Sequence, residues 1–323
     1  MSPGHTRLLA GVVLAALGLF FGFWLTDSFL ILFASGAVLA MSALGLGVVV
    51  GWAGEISLAQ AGLTGTACYL TGYAVRADGW GWSFLPGVVV GVVVAMAISV
   101  IVALPTSKVS GIYLMLLTLG LQIALERAVF SRPDLGGGEQ FVRISRPQPF
   151  GISLESERAF FFFTLVILAG VLLALALFRD SRHGRALLAV RTNRKAAASL
   201  GISPWRYKVI AFAVAGALAG LAGALQGPMF RTVPNLAQFV EFQSLFYLAV
   251  PVLAGFESLW ATVVVAMMFS VVPQIFEAVK LSPSLLAGGA LMVGLMLGRR
   301  GIGGVVIDAL NSRTIRAQLE HRG

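Results

Sequence analysis

Residues 84–104 read FLPGVVVGVVVAMAISVIVAL, a run without one charged side chain. A helix rises about 1.5 Å per residue, so roughly 20 such residues cross the ~30 Å hydrocarbon core of a bilayer. Nine more stretches approach this length and composition: 8–25, 29–51, 57–75, 110–130, 159–178, 209–227, 239–256, 259–280 and 284–298. Strand-like alternation with a turn every ten residues or so, the mark of an outer-membrane barrel, is absent from the sequence. The expected fold is therefore all-α: a polytopic transmembrane helical bundle of about ten spans, forming one domain over residues 1–323. The whole chain has the composition such a bundle needs, with 58% hydrophobic residues, 11% charged residues and a mean hydropathy of +0.90. A soluble domain carries about 25% charged residues, so this chain cannot cover a water-facing surface.

The net charge of +9 is placed with respect to the spans. Segment 179–208 holds Arg179, Arg182, Arg185, Arg191, Arg194, Lys195, Arg206 and Lys208 against the single acid Asp180, and the tail 299–323 holds Arg299, Arg300, Arg313, Arg316 and Arg322. Basic residues beside spans mark the cytoplasmic side, so both segments are expected there, and the charge is a topological signal rather than a nucleic-acid patch. Six spans precede 179–208 and four follow it, which puts the N-terminus with Arg7 on the same side and leaves 131–158 as an external loop. That loop has turn composition, with Gly136, Gly137, Gly138, Pro147 and Pro149. Trp80 and Trp82 fall in a short external loop, where an interfacial aromatic belt belongs. The run 8–25 lacks a small-residue cleavage site and is expected to be a retained first helix. Cys68 is the only cysteine, so no intrachain disulfide can form.

Blocks 29–130 and 209–298 each hold four spans. Because 29–51 would run inward and 209–227 outward, the blocks have the relation of inverted repeats, a frequent transporter plan; their identity is too low to decide the point from sequence. No G-x-x-x-x-G-K-[ST] occurs, so the chain has no P-loop for nucleotide phosphates. His5, His183 and His321 are scattered outside the spans, and no metal site is expected. Nothing reads as a nucleophile with its base, so no catalytic residue is assigned.

Three segments carry the functional reading. In 51–62, GWAGEISLAQAG, two glycines, a carboxylate, a serine and a glutamine interrupt an apolar run. Two readings stand open. One is a helix broken at membrane depth that lines a solute path through Glu55, Ser57 and Gln60; the other is a tight cytoplasmic turn with Ser57 capping the next helix. In 215–224, AGALAGLAGA, the pair Gly216 and Gly220 forms a G-x-x-x-G, and small residues cover every face, which fits close helix packing. In 193–208, NRKAAASLGISPWRYK, a short helix-forming stretch stops at Gly201 before Pro204. An amphipathic helix of this kind can seat in a groove on a partner protein. Arg191, Arg194, Lys195, Ala196, Ala197, Ala198 and Gly201 are the candidate contact residues, against the plainer reading of a topological basic loop.

The chain resembles the LIV-type, or branched-chain amino acid, ABC transporter permease family. The matching stretches are GEISLAQAGLTGTACYLTGYA at 54–74, GIYLMLLTLGLQ at 111–122, SRHGRALLAVRTNRKAAASLGISPWRYKVIAFAVAGALAGLAGAL at 181–225, SLFYLAVPVLAGFESLWATVVVA at 244–266 and RRGIGG at 299–304. Lys195–Gly201 has the spacing of the EAA-x-x-x-G loop of ABC importer permeases, with lysine in place of glutamate. The resemblance implies a heteromeric importer in a bacterial or archaeal cytoplasmic membrane, with a sister permease, cytoplasmic ATP-binding subunits and an external solute-binding protein. It also implies that residues around 185–204 meet the ATPase, so that ATP is bound on the partner and no cofactor on this chain. Gly255–Ala261 departs from the glycine-rich run usual there, and Leu63 and Thr64 replace the more usual residues, which leaves the solute open among branched-chain amino acids, other amino acids, urea, amides and sugars. The competing class is a self-sufficient secondary carrier or channel. Such a carrier needs ionisable groups at membrane depth, and the candidates Glu126, Arg127, Glu241 and Glu277 all lie near span ends.

Overall fold

The computed structural model describes residues 26–76, 79–107, 111–132, 153–232, 241–256 and 258–276, with the separate positions 144, 146–148, 239, 289, 292 and 296. The expected spans 8–25 and 284–298, most of the 131–158 loop and the tail 299–323 lie outside the described residues. The described helices are α1 (Asp27–Gly47), α2 (Gln60–Val75), α3 (Phe84–Ala103), α4 (Ile112–Leu125), α5 (Glu157–Asp180), α6 (Arg182–Thr192), α7 (Arg194–Ser199), α8 (Pro204–Phe230), α9 (Glu241–Ala254) and α10 (Leu259–Phe276). Wider π turns extend α1 over Val48–Ala53 and α4 over Glu126–Phe130. Among the described residues, five helical stretches are long and apolar enough to cross a membrane: Asp27–Ala53, Phe84–Thr106, Ile112–Phe130, Glu157–Asp180 and Pro204–Phe230. The all-α polytopic bundle expected from the sequence is the fold observed.

Local chemistry sets the helix starts at both ends of the bundle. Ser156 Oγ accepts from Ala159 N–H at the start of α5, and Ser181 Oγ accepts from His183 and Gly184 N–H at the start of α6. Pro204 opens α8, where a missing N–H costs nothing.

The core sits around α1 and α8. Every residue from Gly36 to Leu46 is buried, as expected of a helix that is apolar all round. α8 reaches its neighbours through its small residues. A Cβ on Gly216 would come within 2.5 Å of Ser99 Cβ, and one on Gly220 within 2.7 Å of Val92 Cα, both on α3. A Cβ on Gly223 would come within 1.9 Å of the Thr64 carbonyl on α2. The 215–224 stretch is thus a packing device that lets three helix backbones touch. α3, α4 and α5 turn Val89, Val93, Ile112, Leu116, Val166 and Leu173 outward, giving the apolar exterior a bilayer requires.

The two ends of the bundle are distinct. At one end lie residues 53–56, 104–107, Gly111 and the basic segment 179–208, joined by Trp205 Nε1 donating to Leu104 O at 2.9 Å and by the ion cluster described below. At the other, Arg231 at the end of α8 donates to Glu155 O at 2.9 Å and pairs with Glu157, which also binds the buried Arg146. Trp80 and Trp82 lie at this second end, in ring contact and half exposed.

α2 and α9, with 16 and 14 residues, are too short for a full crossing. Their first turns meet inside the bundle, where Ala61 N–H donates to Ser244 Oγ at 3.1 Å. From there they run in opposite directions. α2 ends beside Gly87 near the tryptophan end, and α9 leads to Phe256, which packs on Gly51 at the basic end. Two half-length helices starting together and diverging is a relation of the kind inverted repeats have.

Candidate functional site

The site begins where α1 stops. After the π turn, Gly54 takes the left-handed conformation (φ +71°) that a residue with a Cβ adopts only under strain. A Cβ there would also press on Arg191 Cγ at 3.3 Å. Residues 54–59 then run without helix back into the bundle. The depth reached can be judged from Gln60, whose Nε2 donates to Ser42 O at 2.8 Å and Ser42 Oγ at 3.2 Å. Ser42 precedes Ala53 by eleven residues, roughly 16 Å along the helix axis and about half of the ~30 Å core. α2 therefore starts near mid-depth.

A helix start at that depth exposes backbone N–H groups that hydrocarbon cannot satisfy. Side chains of other helices satisfy them. Thr118 Oγ1 accepts from Leu58 N–H at 3.0 Å, Ser244 Oγ from Ala61 N–H at 3.1 Å, and Gln122 Oε1 from Gly62 N–H at 2.5 Å. Gln122 Nε2 donates to Phe239 O at 2.6 Å, while Ser42 and Thr64 hydroxyls meet at 3.1 Å. Ser42, Gln60, Thr64, Thr118, Gln122 and Ser244 are all buried. They form a hydrogen-bonded polar layer joining α1, α2, α4 and α9 inside the bundle.

The three sequence candidates of this segment are therefore divided between two places. Gln60 lies in the mid-depth layer. Ser57 is buried beside it, its Oγ accepting weakly from Ala59 N–H at 3.5 Å; the N-cap position of α2 is Ala59 and not Ser57. Glu55 lies at the basic end, its side chain fully enclosed (0% exposed). Its Oε1 pairs with Arg194 Nη2 and with Lys208 Nζ, each at 2.5 Å, and its Oε2 accepts from Gly111 N–H at 3.4 Å. Lys208 also donates to Thr106 O at 3.5 Å, and Arg191 donates to Gly51 O.

The basic loop folds into two short helices. Asn193 Oδ1 accepts from Lys195 and Ala196 N–H at 3.1 Å each, which starts α7. Gly201 ends it with φ +79°, and Ile202 N–H returns to Ala197 O at 3.0 Å. Ala197 faces the chain and is buried, whereas Lys195, Ala196, Ala198 and Leu200 face out. Leu200 is 79% exposed, a large apolar side chain at the tip of a basic loop.

Lys208, Leu200, Thr118, Gln122 and Ser244 were not singled out by the sequence reading. Gln122 and Thr118 did carry a signal as polar residues inside an apolar run. Lys208 looked like one more topological charge.

The profile of the family described as branched-chain amino acid transport system / permease component matches residues 28–298. The chain belongs to this family. Among curated proteins it is similar to the high-affinity branched-chain amino acid transport system permease protein LivM of Escherichia coli (strain K12), 29% identical over 282 residues, and to that of Salmonella typhimurium (strain LT2), 30% identical. In each case the aligned region covers 79% of this chain and 65% of the relative. This permease thus spans just under two thirds of the length of the curated relatives it matches. Among solved structures it aligns with PsaBC from Streptococcus pneumoniae in complex with Fab, with TM-score 0.45 and 15% identity, over 88% of this chain and 97% of that one.

Proposed function

We propose that the chain is the membrane subunit of an ATP-driven importer for a small polar solute, of the branched-chain amino acid class. Family membership supports the transport role, and the observation that carries the mechanism is the start of α2 at mid-depth. A polar layer there gives a zwitterionic solute hydrogen-bonding groups where the bilayer offers none, and broken helices at membrane depth are where transporters place their substrates. Ser57 and Gln60, with Thr118, Gln122 and Ser244, line the path in this reading.

Energy comes from outside the chain. ATP is bound and split on cytoplasmic partner subunits that meet the exposed face of α7, around Lys195, Ala196, Ala198 and Leu200. A sister permease completes the pore, and an external binding protein delivers the solute to the tryptophan end. The basic end faces the cytoplasm, because basic residues are retained on that side. This chain contributes no catalytic residue and carries no cofactor or metal of its own.

The test is uptake by the purified single chain in proteoliposomes under an imposed proton or sodium gradient. No concentrative uptake of leucine, isoleucine or valine is expected. Robust gradient-driven accumulation would assign the chain to the secondary carriers.

A further inference from the structure

The Glu55 carboxylate joins four segments of chain: the break after α1, Gly111 at the start of α4, Arg194 on α7 and Lys208 on α8. Glu55 and Lys208 side chains are 0% and 4% exposed, while Arg194 is 43% exposed. Neutralising a buried lysine needs one carboxylate. Here the same oxygen also holds a cation that reaches in from the outward-facing loop helix.

On the other side of Glu55, the non-helical residues 56–59 lead straight to Gln60 and the mid-depth layer. Gly111 leads into α4, whose Thr118 and Gln122 hold the first turn of α2. A displacement of α7 can therefore reach the start of α2 by two short routes that diverge at one carboxylate. With the Glu55 carboxylate enclosed, its attraction for Arg194 is less screened than that of a pair exposed on both sides, and it resists sliding where an apolar contact would slip.

We infer that Glu55, gripped by Arg194 and Lys208, is the positioning residue through which movement of α7 is passed to the broken-helix path. The inference rests on the importer reading above and adds a residue-level coupling device to it. It assigns Glu55 to transmission and leaves solute contact to the mid-depth layer.

The experiment uses the complex of this chain with its sister permease and ATPase in proteoliposomes, and reads leucine imported per ATP hydrolysed. Arg194→Gln removes the exposed arm and leaves the buried Glu55–Lys208 pair in place. The variant should assemble and hydrolyse ATP while leucine per ATP falls roughly tenfold. Arg194→Lys should restore most of the loss, since one donor meets one oxygen here. A wild-type ratio in Arg194→Gln, a loss that lysine does not restore, or a lower yield of complex with an unchanged ratio would each overturn the clamp.

A second measurement addresses the contact itself: thermal unfolding of the full chain in detergent for Glu55→Gln, Arg194→Gln and the double variant. The double shift should be smaller than the sum of the single shifts; additive shifts would show that the two side chains do not act together. If the wild-type complex imports nothing with ATP, the importer reading itself fails. If it imports normally and Arg194→Gln is unaffected, only the clamp fails.

Discussion

At Gln60 one side-chain amide ties the start of α2 to the middle of α1 through two hydrogen bonds. Interhelical hydrogen bonds inside membranes contribute only about 0.6 kcal/mol each on average. Gln60→Leu, similar in volume, should therefore cost roughly 1 kcal/mol of stability and leave expression and assembly intact. If the amide lines the path, uptake should fall by about tenfold, a loss of the size a buried polar group gives when its partner disappears. Wild-type uptake kinetics in this variant would mean that Gln60 only holds the bundle together. The sequence singled out Gln60 because a glutamine between apolar residues is conspicuous. It did not reveal Lys208, since nothing near residue 208 shows that its partner is Glu55, on a distant part of the chain.

At the scale of elements, the long apolar runs were legible outright, and the half-helix α2 only as one of two open readings of 51–62. Length and lack of charge define Phe84–Thr106 and Glu157–Asp180 as spans without reference to anything else. The start of α2 is fixed by Thr118, Gln122 and Ser244, which lie far along the chain, so 57–75 read as one more span. The small-residue helix α8 was legible as packing, and its geometry makes a sharp contrast possible. A Cβ at Gly223 would sit 1.9 Å from the Thr64 carbonyl, whereas one at Gly170 meets nothing within 4 Å. Gly223→Ala should lower stability by about 1–3 kcal/mol, the usual cost of overpacking. Gly170→Ala should be neutral or stabilise by up to about 1 kcal/mol, from helix propensity. Thermal unfolding of the detergent-solubilised chain checks both; equal shifts would mean that α2 and α8 are not in close contact.

The short helix α7 was placed correctly by its Gly201 stop, but its outward face was not. Sequence gave three equivalent alanines, and the structure turns Ala197 inward and exposes Leu200. Leu200→Glu should therefore weaken ATPase binding, because it puts a charge where an apolar side chain would be buried on docking. Co-purification of the ATPase should drop by roughly tenfold, as for loss of an interface anchor. Undiminished co-purification would leave the loop as a topological signal only.

At the scale of the whole molecule, the bundle has a basic end that gathers the loop helices and the Glu55 cluster, and a far end with the tryptophans and the Glu157 cluster. Between them the half-helices α2 and α9 start side by side. In the importer reading proposed above, the basic end is where the energy enters and the half-helices are where the solute is held. The most direct test is accumulation of radiolabelled leucine by proteoliposomes containing this chain, its sister permease, the ATPase and the binding protein. The importer mechanism predicts concentrative uptake that requires hydrolysable ATP on the side of the basic end and is lost with a non-hydrolysable analogue. Uptake that is indifferent to ATP, or supported equally by the analogue, would contradict it.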